Sequence, residues 1–82
     1  MKSIIIKLDT IEKVKNFVNL ISLQNGDFDL VSDRYRVDAK SIMGIFSLDL
    51  SKGLQLDVHN DAEFDKVEKL LAPFIAQDIN AS

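Results

Sequence analysis

The sequence predicts a small α+β domain in which an antiparallel four-stranded sheet carries three helices on one face. Three observations favour this fold class. Apolar and polar residues alternate in "FDLV", "RYRVD" and "LQLDV", which is typical of strands. Apolar residues recur at helical spacing over 11–21 and 64–75. The resulting order, strand, helix, strand, strand, helix, strand, helix, favours a sheet with its helices packed on one side.

Length, composition and charge exclude several classes of function. A chain of 82 residues predicts a single domain, 1–82, and 46% apolar with 28% charged residues is typical of a packed fold. The formal charge of −3, with no basic stripe, argues against nucleic acid as a partner. The absence of cysteine excludes disulfides, thiolate nucleophiles and Cys-based metal sites. We therefore expect no metal, no cofactor and no enzymatic activity.

Hydropathy argues against membrane insertion. No apolar run approaches the length that spans a bilayer, and the opening "MKSIIIKLD" is too short for a signal-peptide core. We expect a cytoplasmic protein.

The first half of the chain predicts a strand, a helix and a hairpin. The strand is 3–8, and the helix begins near Thr10, with Asp9 and Glu12 at capping-box spacing. Gly26 is expected to end that helix in a left-handed conformation. The segments 28–31 and 34–38 are expected to pair around a tight turn.

The second half predicts a strand and a long helix. In 54–58, Gln55 and Asp57 alternate with apolar residues and are expected on a wet face. Asn60, followed by Glu63, opens a helix whose apolar face continues to residue 75, and Pro73 is expected to bend its last turn.

The segment "AKSIMGIFSLDLSKG", residues 39–53, predicts a short helix opened by Ser41. A capping serine contributes on the order of 1 kcal/mol. The same position suits phosphorylation, because phosphate at a helix start meets free N–H groups. Ile42, Met43 and Phe46 follow at helical spacing and lie either in the core or in an exposed apolar patch. The residues leave both alternatives open.

This segment and the order of elements together resemble HPr, the small phosphocarrier protein of the bacterial sugar phosphotransferase system. The resemblance is close over 39–53 and extends across the 82 residues. It implies an open-faced β-sandwich, and it implies that Ser41 matches the serine phosphorylated by an ATP-dependent HPr kinase in many Gram-positive bacteria. It also implies a partner-binding surface that comprises Lys40, Ile42, Met43 and Phe46.

The phosphate-carrying motif of the HPr family, Gly-x-His-x-Arg-Pro, is missing from the chain. Alignment on Phe17 and Ser41 without a gap places Thr10, Glu12 and Lys13 at the histidine, arginine and proline positions. Threonine has no imidazole to form a phosphoramidate, and glutamate repels the phosphate that an arginine would bind. We therefore expect no phosphate transfer at this helix start.

The resemblance thus implies a regulatory, protein-binding role with serine phosphorylation. The family offers a precedent in the catabolite-repression HPr-like protein, which lacks the active histidine, keeps the serine and works with a transcriptional regulator. Expected partners are an HPr kinase/phosphorylase, a transcriptional regulator or phosphotransferase components. Two alternatives stay open: a phosphocarrier active through His59, which has no arginine beside it in the sequence, and a plain scaffold in which Ser41 only caps a helix.

Overall fold

The structure is a computed structural model that describes residues 1–75. Its strands are β1 (Lys2–Ile6), β2 (Phe28–Ser32), β3 (Tyr35–Asp38) and β4 (Leu54–Val58). Its helices are α1 (Ile11–Ile21), α2 (Ile42–Phe46) and α3 (Asp61–Leu70), and a 3₁₀ turn at Ala72–Phe74 follows α3. The strands pair in the order β1-β4-β2-β3, and every neighbouring pair is antiparallel. The predicted fold class is confirmed.

Alternation along the strands gives the sheet two faces of different character. One row of paired residues packs into the hydrophobic core beneath the helices; it consists of Ile4, Leu56, Leu30 and Val37. The opposite side is called the open face here. Its residues are Ser3, Ile5, Asp29, Val31, Arg36, Asp38, Gln55 and Asp57.

The hydrophobic core lies between the sheet and the three helices. The helices contribute Val14, Phe17 and Ile21 from α1, Ile45 from α2 and Val67 from α3, and all of these are fully buried. Phe17 also meets Phe74 edge to face, with ring centroids 6.2 Å apart. None of the helices within residues 1–75 is long and apolar enough to cross a membrane.

The start of α1 differs from the expected capping box. Thr10 has the extended backbone of an N-cap, and its hydroxyl accepts a hydrogen bond from the Lys13 N–H. Glu12 therefore stands one position too early to complete a capping box with Thr10. Asp9 instead accepts a hydrogen bond from the Lys13 ammonium group. The predicted helix start is right, but the capping residue is Thr10 and not Asp9.

Gly26 lies farther from α1 than the sequence indicated. The helix ends at Ile21, and Ser22 is its C-cap, whose N–H bonds to the Val18 carbonyl. Gly26 does have a positive φ of 101°, which side chains with a Cβ rarely adopt. Its left-handed conformation is thus confirmed, but it shapes the loop before β2 and does not end the helix.

The end of α3 is also shorter than the apolar spacing suggested. Asn60 caps the helix by accepting a hydrogen bond from the Ala62 N–H. The helix ends at Leu70, and Pro73 lies in the following 3₁₀ turn, because proline cannot continue the helical hydrogen-bond ladder. The turn brings the Phe74 carbonyl within 2.8 Å of the Lys7 N–H. This hydrogen bond places the 3₁₀ turn beside the end of β1. The strand itself ends at Ile6 and not at residue 8, as the sequence had predicted.

Candidate functional site

The start of α1 is the place where the alignment puts the family's phosphate-carrying motif. Thr10 Oγ1 accepts the Lys13 N–H at 3.1 Å, so the cap position is already occupied. Asp9 Oδ1 lies 2.9 Å from Lys13 Nζ, and this hydrogen bond holds the pKa of the exposed Asp9 carboxyl below its ordinary value. Glu12 is exposed in the first turn. A phosphate at the start of α1 would meet two carboxylates, those of Asp9 and Glu12. The residues that the alignment places there supply no imidazole and no guanidinium group.

Ser41 is the N-cap of α2, as the sequence predicted. Its backbone is extended, and its Oγ accepts a hydrogen bond from the Gly44 N–H at 3.2 Å. A Cβ on Gly44 would lie 3.2 Å from both Ser41 Oγ and Val37 Cβ, so glycine allows the close approach of cap and strand. Ser41 is half-buried. With only five residues, α2 has a small macrodipole, and the cap hydrogen bond dominates the surroundings of Oγ.

The ammonium group of Lys40 binds backbone carbonyls of the loop after α1, a contact that the sequence did not predict. Its Nζ donates to the carbonyl oxygens of Gln24 at 2.9 Å and Gly26 at 3.3 Å. The same ammonium group lies 5.4 Å from the centroid of the Phe28 ring. These two hydrogen bonds leave one of the three N–H donors of the ammonium group. The binding role of Lys40 stays a prediction.

The three apolar residues singled out on α2 differ in exposure. Met43 is 78% exposed and Phe46 is 41% exposed. Ile42 is half-buried and packs against the core, next to the fully buried Ile45. The exposed pair is called the docking patch below and consists of Met43 and Phe46. Its binding role stays a prediction.

Asp57 lies on the open face but is fully buried, so the prediction that it is exposed to solvent is wrong. Its Oδ1 accepts hydrogen bonds from Ser3 Oγ at 2.6 Å and Gln55 Nε2 at 2.7 Å. Its Oδ2 lies 3.0 Å from Arg36 Nη1 but has no well-aligned hydrogen-bond donor. Burial acts to raise the pKa of Asp57, but the two hydrogen bonds and the Arg36 guanidinium outweigh burial and lower it. The carboxylate is therefore charged at neutral pH.

Asp29 joins Arg36 and His59 at the same part of the open face. Asp29 Oδ2 lies 2.9 Å from Arg36 Nη1 and 2.8 Å from His59 Nε2. Hydrogen bonding to Asp29, with the added contact to Asp57, raises the pKa of Arg36 above its ordinary value. The four residues are called the open-face cluster below: Asp29, Arg36, Asp57 and His59.

The open-face cluster was not predicted from the sequence. Arg36 is distant from His59 along the chain, and only the pairing of β2 with both β3 and β4 brings them to one carboxylate. The one available signal was the alternation that places polar residues of β2, β3 and β4 on a common face. Residues 1–75 form no pocket and no group of three His, Asp or Glu side chains spaced to hold a metal ion.

The fold has a close counterpart among solved structures. The chain is similar to HPr-C-His from Thermoanaerobacter tengcongensis, with 27% sequence identity and a TM-score of 0.75. The similarity covers 90% of this chain and 91% of that chain. No protein-family profile and no curated protein sequence matches the chain. The structural similarity confirms that the fold is HPr-like.

Proposed function

We propose that this protein is an HPr-like regulatory module of the bacterial sugar phosphotransferase system, which binds other proteins through α2 and is switched by phosphorylation of Ser41. The observation that carries the proposal is the exposure of Met43 and Phe46, 78% and 41%, on the helix that Ser41 caps. Large apolar side chains that remain exposed together are typical of surfaces for protein partners. A flexible methionine adapts to several such partners.

The residues at the start of α1 support a regulatory role over a phosphocarrier role at that site. Thr10 supplies a hydroxyl that is already engaged as a helix cap, and Asp9 and Glu12 add negative charge. A dianionic phosphoryl group would meet repulsion there instead of the charge-assisted hydrogen bonds that stabilise it. Loss of phosphate transfer at this position is therefore part of the proposal.

Phosphorylation of Ser41 would change the charge beside the docking patch. The added phosphate carries roughly −1.5 to −2 charges at neutral pH and three acceptor oxygens. Lys40 Nζ is engaged by the Gln24 and Gly26 carbonyls, so the new charge would be only partly neutralised by its neighbour. Phosphorylation is therefore expected to favour a partner with basic residues around its apolar contact and to disfavour an acidic one.

The proposed partners are proteins. They are an HPr kinase/phosphorylase, a transcriptional regulator or other components of the phosphotransferase system, in the cytoplasm of a bacterium. The acidic charge of −3 continues to disfavour nucleic acid. Under this proposal the protein has no catalytic activity of its own and acts by binding.

Binding to a Gram-positive HPr kinase, measured by isothermal titration calorimetry, tests the docking patch. We expect Met43→Ser and Phe46→Ser each to weaken binding about tenfold, the loss typical of a contributing apolar contact. Ile5→Ser is the matched control, because Ile5 is 47% exposed on the opposite side of the sheet. Binding that is equally weakened by Ile5→Ser, or unchanged by either α2 substitution, would contradict the proposal.

A plain scaffold is the second candidate, and the Ser41 cap is the observation that favours it. If the only role of Ser41 is to accept the Gly44 N–H as a helix cap, then Ser41→Asp keeps a side-chain acceptor at that position. The affinity for the kinase should then be unchanged. Under the regulatory proposal the added negative charge beside Met43 changes that affinity. The same titration, run on Ser41→Asp, separates the two candidates.

A further inference from the structure

Two rows of paired side chains run across the open face, which no helix within residues 1–75 covers. The first row consists of Ile5, Gln55, Val31 and Arg36, and the second of Ser3, Asp57, Asp29 and Asp38. Ile5 is 47% exposed and Val31 is half-buried. Residues two positions apart on a strand are about 7 Å apart, so the two rows lie side by side. The open face therefore presents apolar side chains next to a row of carboxylates.

The second row places three carboxylates on neighbouring strands. Asp57 of β4 pairs with Asp29 of β2, which in turn pairs with Asp38 of β3. Like charges directly opposite one another destabilise a sheet. Arg36 is the one basic side chain among the open-face residues of the described chain, so this face carries a net charge of −2 out of −3 for the whole chain. The sheet thus has an unbalanced charge that a cationic partner would neutralise.

One guanidinium nitrogen is shared between two of these carboxylates. Arg36 Nη1 lies 2.9 Å from Asp29 Oδ2 and 3.0 Å from Asp57 Oδ2. Its aligned hydrogen bond goes to Asp29, and Oδ2 of the fully buried Asp57 has no aligned donor within residues 1–75. A buried acceptor without a donor costs free energy. A second cation at Asp29 would let Arg36 donate to Asp57 instead.

Asp29 and Asp38 have the acceptor oxygens for such a cation. Asp29 Oδ2 contacts Arg36 and His59, whereas its Oδ1 makes no hydrogen bond within residues 1–75. Asp38 is exposed, its Oδ1 accepts the Lys40 N–H at 2.9 Å, and it forms no ion pair with a described residue. The Cβ atoms of directly opposite residues are about 5 Å apart. A guanidinium group, with its planar set of donors, spans two acceptors at this spacing.

We propose that the open face binds a basic polypeptide segment of another protein. Arginine or lysine side chains of the segment contact Asp29 and Asp38, and an apolar side chain of the segment packs on Ile5 and Val31. Arg36 then turns from Asp29 toward Asp57. The open face lies on the opposite side of the sheet from α2, so this proposal does not rest on the function proposed above.

Charge favours this occupant over others. A second copy of the chain, docked face to face, would bring two surfaces of −2 together. The last residues of this chain, 76–82, read "AQDINAS" and include one acidic and no basic residue. Nucleic acids and anionic lipid surfaces carry the same sign as the row of carboxylates. A basic segment of another protein has the complementary charge.

Titration of the ¹⁵N-labelled full chain with two amidated peptides, followed by ¹H–¹⁵N NMR, measures the binding. The peptides are hexa-arginine and the mixed sequence Arg-Arg-Leu-Arg-Arg-Leu. We expect the largest shifts on the amides of β2, β3 and β4. The mixed peptide should bind at least as tightly as hexa-arginine, because leucine contacts compensate for two fewer charges. Ile5→Ser should weaken binding of the mixed peptide about threefold and leave that of hexa-arginine unchanged.

Substitutions of opposite sign test the carboxylates. Asp29→Asn and Asp38→Asn should each weaken binding of both peptides about tenfold through loss of a charge-assisted hydrogen bond. Arg36→Gln should tighten binding about threefold, because it removes the cation that competes for Asp29. The matched controls are Asp65→Asn and Lys66→Gln, which change the net charge equally at exposed positions of α3 and should alter affinity less than twofold.

Circular dichroism checks that each variant is folded, and the exposed Asp38→Asn keeps the test valid if a substitution at Asp29 unfolds the sheet. Equal weakening by Asp38→Asn and Asp65→Asn would reveal a general effect of net charge and overturn the proposal. Shifts confined to the helices would overturn it as well. The same shifts with calcium chloride at the same concentration would assign the carboxylates to a metal ion and not to a basic segment.

Discussion

Replacing Asp57 with alanine is expected to lower the free energy of unfolding by about 2 kcal/mol. Its Oδ1 accepts hydrogen bonds from Ser3 and Gln55 at 2.6 and 2.7 Å. Bonds to a charged acceptor contribute about 1.5–3 kcal/mol each, or about 3–6 kcal/mol together. The cost of removing the carboxylate from water, several kcal/mol, opposes them. The ion pair with the half-exposed Arg36 adds little.

The loss should depend on pH in a definite direction. The pKa of Asp57 is lowered in the folded protein, since its hydrogen bonds and Arg36 outweigh the effect of burial. The unfolded chain titrates near its ordinary value of about 3.9. Stabilisation by the carboxylate is therefore complete above that value and disappears as the pH falls through the lower folded pKa. The difference between wild type and variant should be constant from about pH 7 to 5 and shrink below about pH 4.

Urea unfolding followed by circular dichroism measures this difference at each pH. Asp65→Ala is the matched control, because Asp65 is exposed on α3 and makes no hydrogen bond within residues 1–75; no measurable change is expected. A loss for Asp57→Ala below about 0.5 kcal/mol would refute the account, since that is the size of an ordinary surface effect. The same loss at about pH 3 as at neutral pH would refute it as well.

Three further predictions concern α2 and the loop before β2, each measured by urea unfolding. Ser41→Ala should lower the free energy of unfolding by about 1 kcal/mol through loss of the cap, whereas Ser41→Asp should leave it nearly unchanged; equal losses would argue against a cap role. Ile45→Ala should cost about 2–5 kcal/mol because the side chain is fully buried, and the exposed Met43→Ala less than about 0.5 kcal/mol; the reverse order would contradict the assigned faces. Gly26→Ala should cost about 1–2 kcal/mol, since φ is 101°, and an unchanged stability would show that the loop adapts.

Element type and order could be predicted because burial fixes periodicity. Phe28 and Leu30, and then Leu54 and Leu56, must alternate with polar residues if one face of the sheet is covered. The residues at which helices begin and end were harder to predict. Asp9 and Thr10 are both good capping residues, and only the backbone conformation decides for Thr10. The apolar spacing continued past residue 70, but the missing N–H of Pro73 ends the helical ladder.

The candidate site was predictable only where it depends on local structure. Ser41 as a helix cap follows from its position before an apolar run, and the structure confirms the cap. The burial of Asp57 could not be predicted, since Arg36 approaches it from another strand and only the strand order β1-β4-β2-β3 makes them neighbours in space. The orientation of Lys40 toward the Gln24 carbonyl depends in the same way on the path of a distant loop.

The central claim is that Ser41 is a regulatory phosphorylation site beside a protein-docking surface. Intact mass spectrometry after incubation with ATP and a Gram-positive HPr kinase tests it most directly, with Ser41→Ala as the control. The account predicts one added phosphoryl group on the wild type, stable to acid, and none on Ser41→Ala. No increment on the wild type, or an equal increment on both proteins, would contradict the assignment of Ser41 as the switch.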